Sequence, residues 1–203
     1  MNEHVKGFAA RARRLPTQAA EGLPRWRWTT AELEKAAAAG FFAGEDGFEL
    51  IGGEMVPMSP NGRRHDLVCE VLERHLRRQE TVEAHVTGEK QLNLTADTYT
   101  KPDIIIRPAA VMPPDLSGES VLLVVEVADT SLDADLGIKA RTYATHGVRE
   151  YWVIEAWSLN IHVHRGPDMA NGRYTSVEVI EPGARQSLLL VPAIQVVMPD
   201  LGL

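Results

Sequence analysis

The chain has one cysteine in 203 residues, so it cannot close an internal disulfide and must hold its fold by burial and hydrogen bonding. That thiol, Cys69, falls in a helical pattern and reads as a buried small group in a reducing cytoplasm, where the protein is expected. Long apolar runs are missing too: no window reaches the roughly 18 uninterrupted apolar residues of a membrane span, so no membrane partner is expected. Residues Met1 to Ala10 include Glu3, His4 and Lys6 and have too little apolar length for a secretory signal. Several catalytic motifs are absent: the G-x-S-x-G elbow, the G-x-x-x-x-G-K-[ST] phosphate loop, a G-x-G-x-x-G after a strand, H-E-x-x-H, and cysteine pairs for zinc. Nucleophilic and nucleotide-cofactor chemistry therefore lack support.

What is present is ordinary for a soluble globular chain, with 44% apolar and 24% charged residues and enough length for one domain with a full core. The charge is uneven. Residues 1–28 hold six bases (Lys6, Arg11, Arg13, Arg14, Arg25, Arg27) against Glu3 and Glu21, a net of +4, so the remainder carries −11 of the overall −7. The expected organisation is a basic arm over residues 1–24 and a single domain over residues 25–203. An acidic body argues against broad binding to duplex phosphates, although a bound cation would offset some of those carboxylates locally.

Order is expected from Trp26. Thr29 and Glu32 form a capping box, alanines 36–39 favour helix and Gly40 stops it. Phe48 to Ile51 and Glu54 to Met58 read as a hairpin about Gly52-Gly53, with Pro57 marking an edge strand. His65, Val68, Cys69, Leu72, His75 and Leu76 recur at helical spacing, with His65 in the first turn. Residues 85–95 alternate as one strand. A helix capped by Asp133 runs to His146 before Gly147, with Leu136, Lys139, Ala140 and Tyr143 on one face. Glu150 to Glu155 is a buried-type strand, and Ser158 to Arg165, Tyr174 to Ile180 and Ser187 to Val191 read as a closing antiparallel meander. His162 and His164 share one face of a strand and read as solvent-facing.

Two acids do not fit their surroundings. Ile104-Ile105-Ile106 is entered through Asp103, and the apolar run from Val121 leaves through Glu126. A carboxylate at the end of a buried strand costs several kcal/mol unless a positive or hydrogen-bonding group meets it. If the two runs pair antiparallel through the loop from Pro108 to Ser120, both acids come to one sheet edge, where they could share a divalent cation. Lys139 faces the same core side and supplies the ammonium such chemistry uses.

Lys101-Pro102-Asp103, Val125-Glu126-Val127, Asp129-Thr130-Ser131, Asp135-Leu136, Lys139, Tyr143, Gly147-Val148 and Glu150 to Ile154 together resemble the Uma-type family of restriction-endonuclease-like proteins in the PD-(D/E)XK superfamily. Phe48 to Met55 and His65 resemble that family's N-terminal pattern, and the likeness runs from about Trp26 to Arg165. The resemblance implies an α/β (α+β) fold: a restriction-endonuclease-like mixed sheet flanked by helices, with an N-terminal helix and hairpin. It implies an Mg²⁺ or Mn²⁺ cofactor and phosphodiester hydrolysis, with nucleic acid as partner, DNA before RNA. By position, Asp103 and Glu126 are the catalytic, metal-binding acids. The lysine of the motif is replaced by Ala128, so Lys139 takes the catalytic lysine role from the following helix. Glu54, His65 and Tyr143 are accessory.

Two other classes are compatible with these residues: a nuclease-fold binding or assembly module without turnover, favoured by Ala128 and the acidic body, and a structural domain whose acids are held by arginines. A homodimer is a further expectation, with Leu188 to Leu203 as its candidate contact.

Overall fold

A computed structural model gives the fold and describes residues 22–42, 47–58, 61–198 and 202. The basic arm expected over residues 1–24 lies outside them up to residue 21. In chain order the elements begin with α1 (Thr30–Ala38), β1 (Phe48–Ile51), β2 (Glu54–Pro57), α2 (Arg63–Arg77), β3 (Ala84–Gly88), β4 (Leu92–Thr95), β5 (Thr98–Thr100) and β6 (Ile104–Pro108). After β7 (Leu123–Ala128) comes a helical segment made of α3 (Leu132–Ala134), a π-helical turn (Asp135–Lys139) and α4 (Ala140–Thr145). The chain continues through β8 (Glu150–Glu155), β9 (Ile161–Asp168), β10 (Arg173–Ile180), β11 (Gln186–Ser187) and β12 (Gln195–Val196). It is a mixed α/β fold, as expected.

The residues divide into two compact units, one running to Pro60 and including Thr95–Thr100, the other comprising Asn61–Leu94 and Lys101–Leu203. In the smaller unit the capping box forms in both directions: Thr29 N–H donates to Glu32 Oε2 at 2.8 Å and Glu32 N–H to Thr29 Oγ1 at 3.3 Å. The β1–β2 hairpin turns on Gly52 and Gly53, with φ of 57° and 79°, which side chains with a Cβ resist. β2 is the edge strand that Pro57 signals. Leu33, Leu50 and Tyr99 form the small core.

The larger unit is built on a six-stranded sheet in the order β10-β9-β8-β7-β6-β3. Its one parallel pair, β7 with β8, is joined by the α3–α4 segment, and the other neighbours are antiparallel. Because strand side chains alternate, Ile104, Ile106, Leu123, Val125, Val127, Trp152 and Ile154 pack on one face with Val68, Leu72 and Leu76 of α2. Ile105, Val124, Tyr151 and Val153 pack on the other with Ala140 and Tyr143 of α4. Burial on both faces explains why these strands are continuous apolar runs.

Four sequence expectations need correction. The strand over residues 85–95 is two strands, β3 and β4, and Glu89 between them takes φ 35°. Ser131, not Asp133, is the N-cap of the helical segment. The meander ends at β10, because β11 pairs with β12 in a separate two-stranded sheet. His164 is buried rather than solvent-facing; its ring lies 5.4 Å from both Tyr151 and Tyr174. The C-terminal segment also spends Leu188, Ile194, Val196 and Met198 on the chain's own core, which leaves Leu189 and Leu190 exposed.

Candidate active site

The antiparallel pairing of β6 with β7 matches Ile104 to Val125, so Asp103 and Glu126 stand one step further along the same ladder. The sheet-edge placement expected of the two acids is therefore present. Asp103 sits where β6 begins, and its carboxylate bridges two elements. Oδ2 accepts from the Val127 N–H of β7 at 2.7 Å, and Oδ1 meets His65 Nε2 of α2 at 3.1 Å. A side chain thus takes a strand N–H beyond the last paired residue and is held there.

Glu126 alternates with Val125 and Val127 and so faces α4. Its Oε1 accepts from Lys139 Nζ at 2.9 Å and from Tyr143 O–H at 2.8 Å, with the carboxylate 5% exposed and the lysine 17%. Lys139 ends the π-helical turn, whose first residue, Asp135, lies 3.9 Å from Nζ. Asp135 is itself buried and accepts from Ser131 Oγ. The lysine and the acid, four residues apart, both lie within the π turn, an irregularity often found at functional sites. Asp135 escaped the sequence reading as a site residue; its i,i+4 spacing from Lys139 was the available signal.

His65 is buried in the first turn of α2. Burial works against its charge, but the Asp103 carboxylate, helped by Asp66, outweighs it and raises the imidazolium pKa to about 9. Cys69, one turn further along α2, has its Sγ 3.7 Å from both ring nitrogens of His65. Burial first, then the carboxylates of Asp103 and Glu126, push its thiol above the ordinary range, so as it stands it is a protonated neighbour rather than a nucleophile. Ligand atoms of His65, Cys69 and Asp103 lie within 4.8 Å of one another.

Glu54, the remaining accessory candidate, belongs to the smaller unit, where it is exposed and lies 3.5 Å from Arg25. The arginine fork that a structural acid attracts is found at Glu150 instead. That fully buried carboxylate receives Arg165 through Nε at 2.9 Å and Nη2 at 2.6 Å, Trp152 Nε1 at 3.0 Å and Leu189 N–H at 2.7 Å.

Sequence reasoning also missed a surface feature beside His65. Arg64 donates through Nε to Ala156 O at 2.7 Å, and its guanidinium lies 5.8 Å from the ring centre of Trp157. Trp157 is 73% exposed, yet its indole N–H is fixed by Asp129 Oδ1 at 2.7 Å. A Cβ at Gly62 would collide with the Asp129 carboxylate, so glycine is what lets the start of α2 approach it. The shallow depression along α2 lined by Glu70, Glu73, Arg74, Arg77 and Arg78 is a charged helix face with ion pairs at i,i+4 spacing, not a site.

Among the described residues no helix is long and apolar enough to cross a membrane. No curated protein matches the chain. Among solved structures, one described as a putative nuclease belonging to DUF820 from Anabaena variabilis is similar over 86% of this chain and 97% of its own, with a TM-score of 0.68 and 17% identity. At that identity the likeness speaks for the fold, which it supports across almost the whole neighbour. The family model described as "Uma2: Putative restriction endonuclease" matches residues 32–199, which extends past Arg165, where the resemblance carried by the motifs ends. The chain belongs to the Uma2 family.

Proposed function

We propose that this protein is a divalent-metal-dependent endonuclease that hydrolyses phosphodiester bonds, with DNA as its substrate and Asp103, Glu126 and Lys139 as its catalytic residues. The observation that carries the reading is Lys139. A side chain from the π-helical turn delivers its ammonium to Glu126, the acid that stands opposite Asp103 one step beyond the Ile104–Val125 pair of the β6–β7 ladder.

The donor set fits a hard cation, Mg²⁺ or Mn²⁺, because Asp103 and Glu126 offer carboxylate oxygens from adjacent strands. Such a cation lowers the pKa of bound water and offsets charge on a phosphoryl group. The chain's own residues do the positioning. The Val127 N–H and His65 fix the orientation of Asp103, while the buried Tyr143 hydroxyl and Lys139 fix that of Glu126. Lys139 places a positive charge where negative charge grows during phosphoryl transfer, and its N–H donors can orient an attacking water. The exposed Trp157 ring beside Arg64 offers a stacking face and a cation to the nucleic acid.

Nicking of supercoiled plasmid in Mg²⁺ or Mn²⁺, measured alongside calorimetric metal binding, tests this. Both activities should vanish in Asp103→Asn and Glu126→Gln. A second reading, a nucleic-acid-binding module without turnover, draws on Ala128, which fills the usual lysine position and is buried. Oligonucleotide binding without cleavage by the native protein would favour it.

A further inference from the structure

We propose that His65, Cys69 and Asp103 form a binding position for a thiophilic divalent cation, with Zn²⁺ the natural occupant, and that filling it withdraws Asp103 from the hard-cation site. The second half of this inference rests on the endonuclease reading; the first does not.

His65 and Cys69 lie four residues apart on α2, one turn, which brings an imidazole and a thiol to the same side of the helix. Asp103 enters from the start of β6 and completes a set of three donors from two elements. His65 Nε2 stands 3.1 Å from Asp103 Oδ1, Cys69 Sγ stands 3.7 Å from the ring nitrogens, and all three donors fall within 4.8 Å of one another. A tetrahedral Zn²⁺ with bonds of about 2.0 to 2.3 Å spaces its ligand atoms about 3.3 to 3.7 Å apart. The His65–Asp103 and His65–Cys69 separations are thus already close to that spacing, the Cys69–Asp103 separation falls within 4.8 Å, and the cation would replace the His65–Asp103 hydrogen bond.

The donor chemistry discriminates between metals. Mg²⁺ takes oxygen ligands and gains nothing from a thiol or an imidazole, whereas Zn²⁺ favours both. Charge also favours a dication here: the Cys69 sulfur lies in the field of the Asp103, Glu126, Glu89 and Asp66 carboxylates. The balance is simple. One bond forms to each of Sγ, an imidazole nitrogen and a carboxylate oxygen. The S–H bond breaks and its proton goes to solvent, as does any proton on the imidazole nitrogen that takes the metal, and nothing is oxidised or reduced.

The test is a Co²⁺ titration of the metal-stripped full-length chain in a non-thiol reductant, read by absorption. A thiolate-to-cobalt charge-transfer band with tetrahedral visible bands, saturating at a single equivalent and displaced by Zn²⁺, is expected. The charge-transfer band should be absent in both Cys69→Ser and Cys69→Ala, and affinity should fall about tenfold or more in His65→Gln. No charge-transfer band in the native protein, or the same band in both Cys69 variants, overturns the site. A second arm adds Zn²⁺ to plasmid nicking in excess Mg²⁺. The Zn²⁺ needed to halve each protein's own rate should rise about tenfold or more in Cys69→Ser. Cobalt binding with Zn²⁺-insensitive nicking overturns the competition. A native protein that does not nick defeats the endonuclease reading, and the cobalt arm then decides the site by itself.

Discussion

The Lys139 ammonium lies 2.9 Å from Glu126 Oε1, although it comes from the π-helical turn rather than from β7, where Ala128 occupies the position two residues after the acid. The two side chains meet because β7 leads into the helical segment, which folds back over the sheet and carries Lys139 and Tyr143 to one carboxylate. A charge needed at a point in space can be supplied from any backbone position that reaches it.

Lys139→Met should therefore lower Mg²⁺-supported plasmid nicking about 100-fold, in line with the loss of one preorganised charged donor. The melting temperature of the variant shows whether the fold survives. A rate near that of the native protein would remove Lys139 from the chemistry.

Glu150 supplies the contrasting case of an acid that holds the fold. Arg165→Met leaves a fully buried carboxylate without its guanidinium and should cost about 3 kcal/mol in urea unfolding. Calorimetric Mg²⁺ or Mn²⁺ binding by the folded variant should match the native protein, because the ion pair lies outside the proposed ligand set.

His164 makes stability depend on acid. Burial, reinforced by neighbouring His162, lowers its pKa from 6.5 to about 4, so the folded state keeps it neutral while the unfolded chain takes up a proton. Its stabilising contribution is complete above pH 6.5 and is lost as pH falls toward 4, at up to about 1.4 kcal/mol per pH unit. Urea midpoints at pH 7, 6 and 5 should fall less steeply for His164→Leu than for the native chain. Parallel pH profiles would show that His164 is not the sensor.

Trp157→Ala should weaken single-stranded oligonucleotide binding about tenfold, the order of one lost base–aromatic stack, when measured by fluorescence anisotropy in EDTA. The exposed ring contributes little to the core, so its melting temperature should stay close to native. Unchanged affinity would rule out Trp157 as a substrate contact.

The strands and the odd acids within them are legible from the residues alone. Branched apolar runs bury on both faces, so β6, β7 and β8 are legible as core strands, and Asp103 and Glu126 stand out because a buried carboxylate needs a reason. The capping box at Thr29, the glycine turn and the apolar face of α2 are equally local and equally legible. The partners of these side chains came from long-range packing. It gave the arginine fork to Glu150 and buried His164 between tyrosines. It also set His65 and Cys69 of α2 against Asp103 of a distant strand, and fixed Trp157 through Asp129. These contacts join residues far apart in the chain, and periodicity records which face a side chain leaves from but not what it meets there.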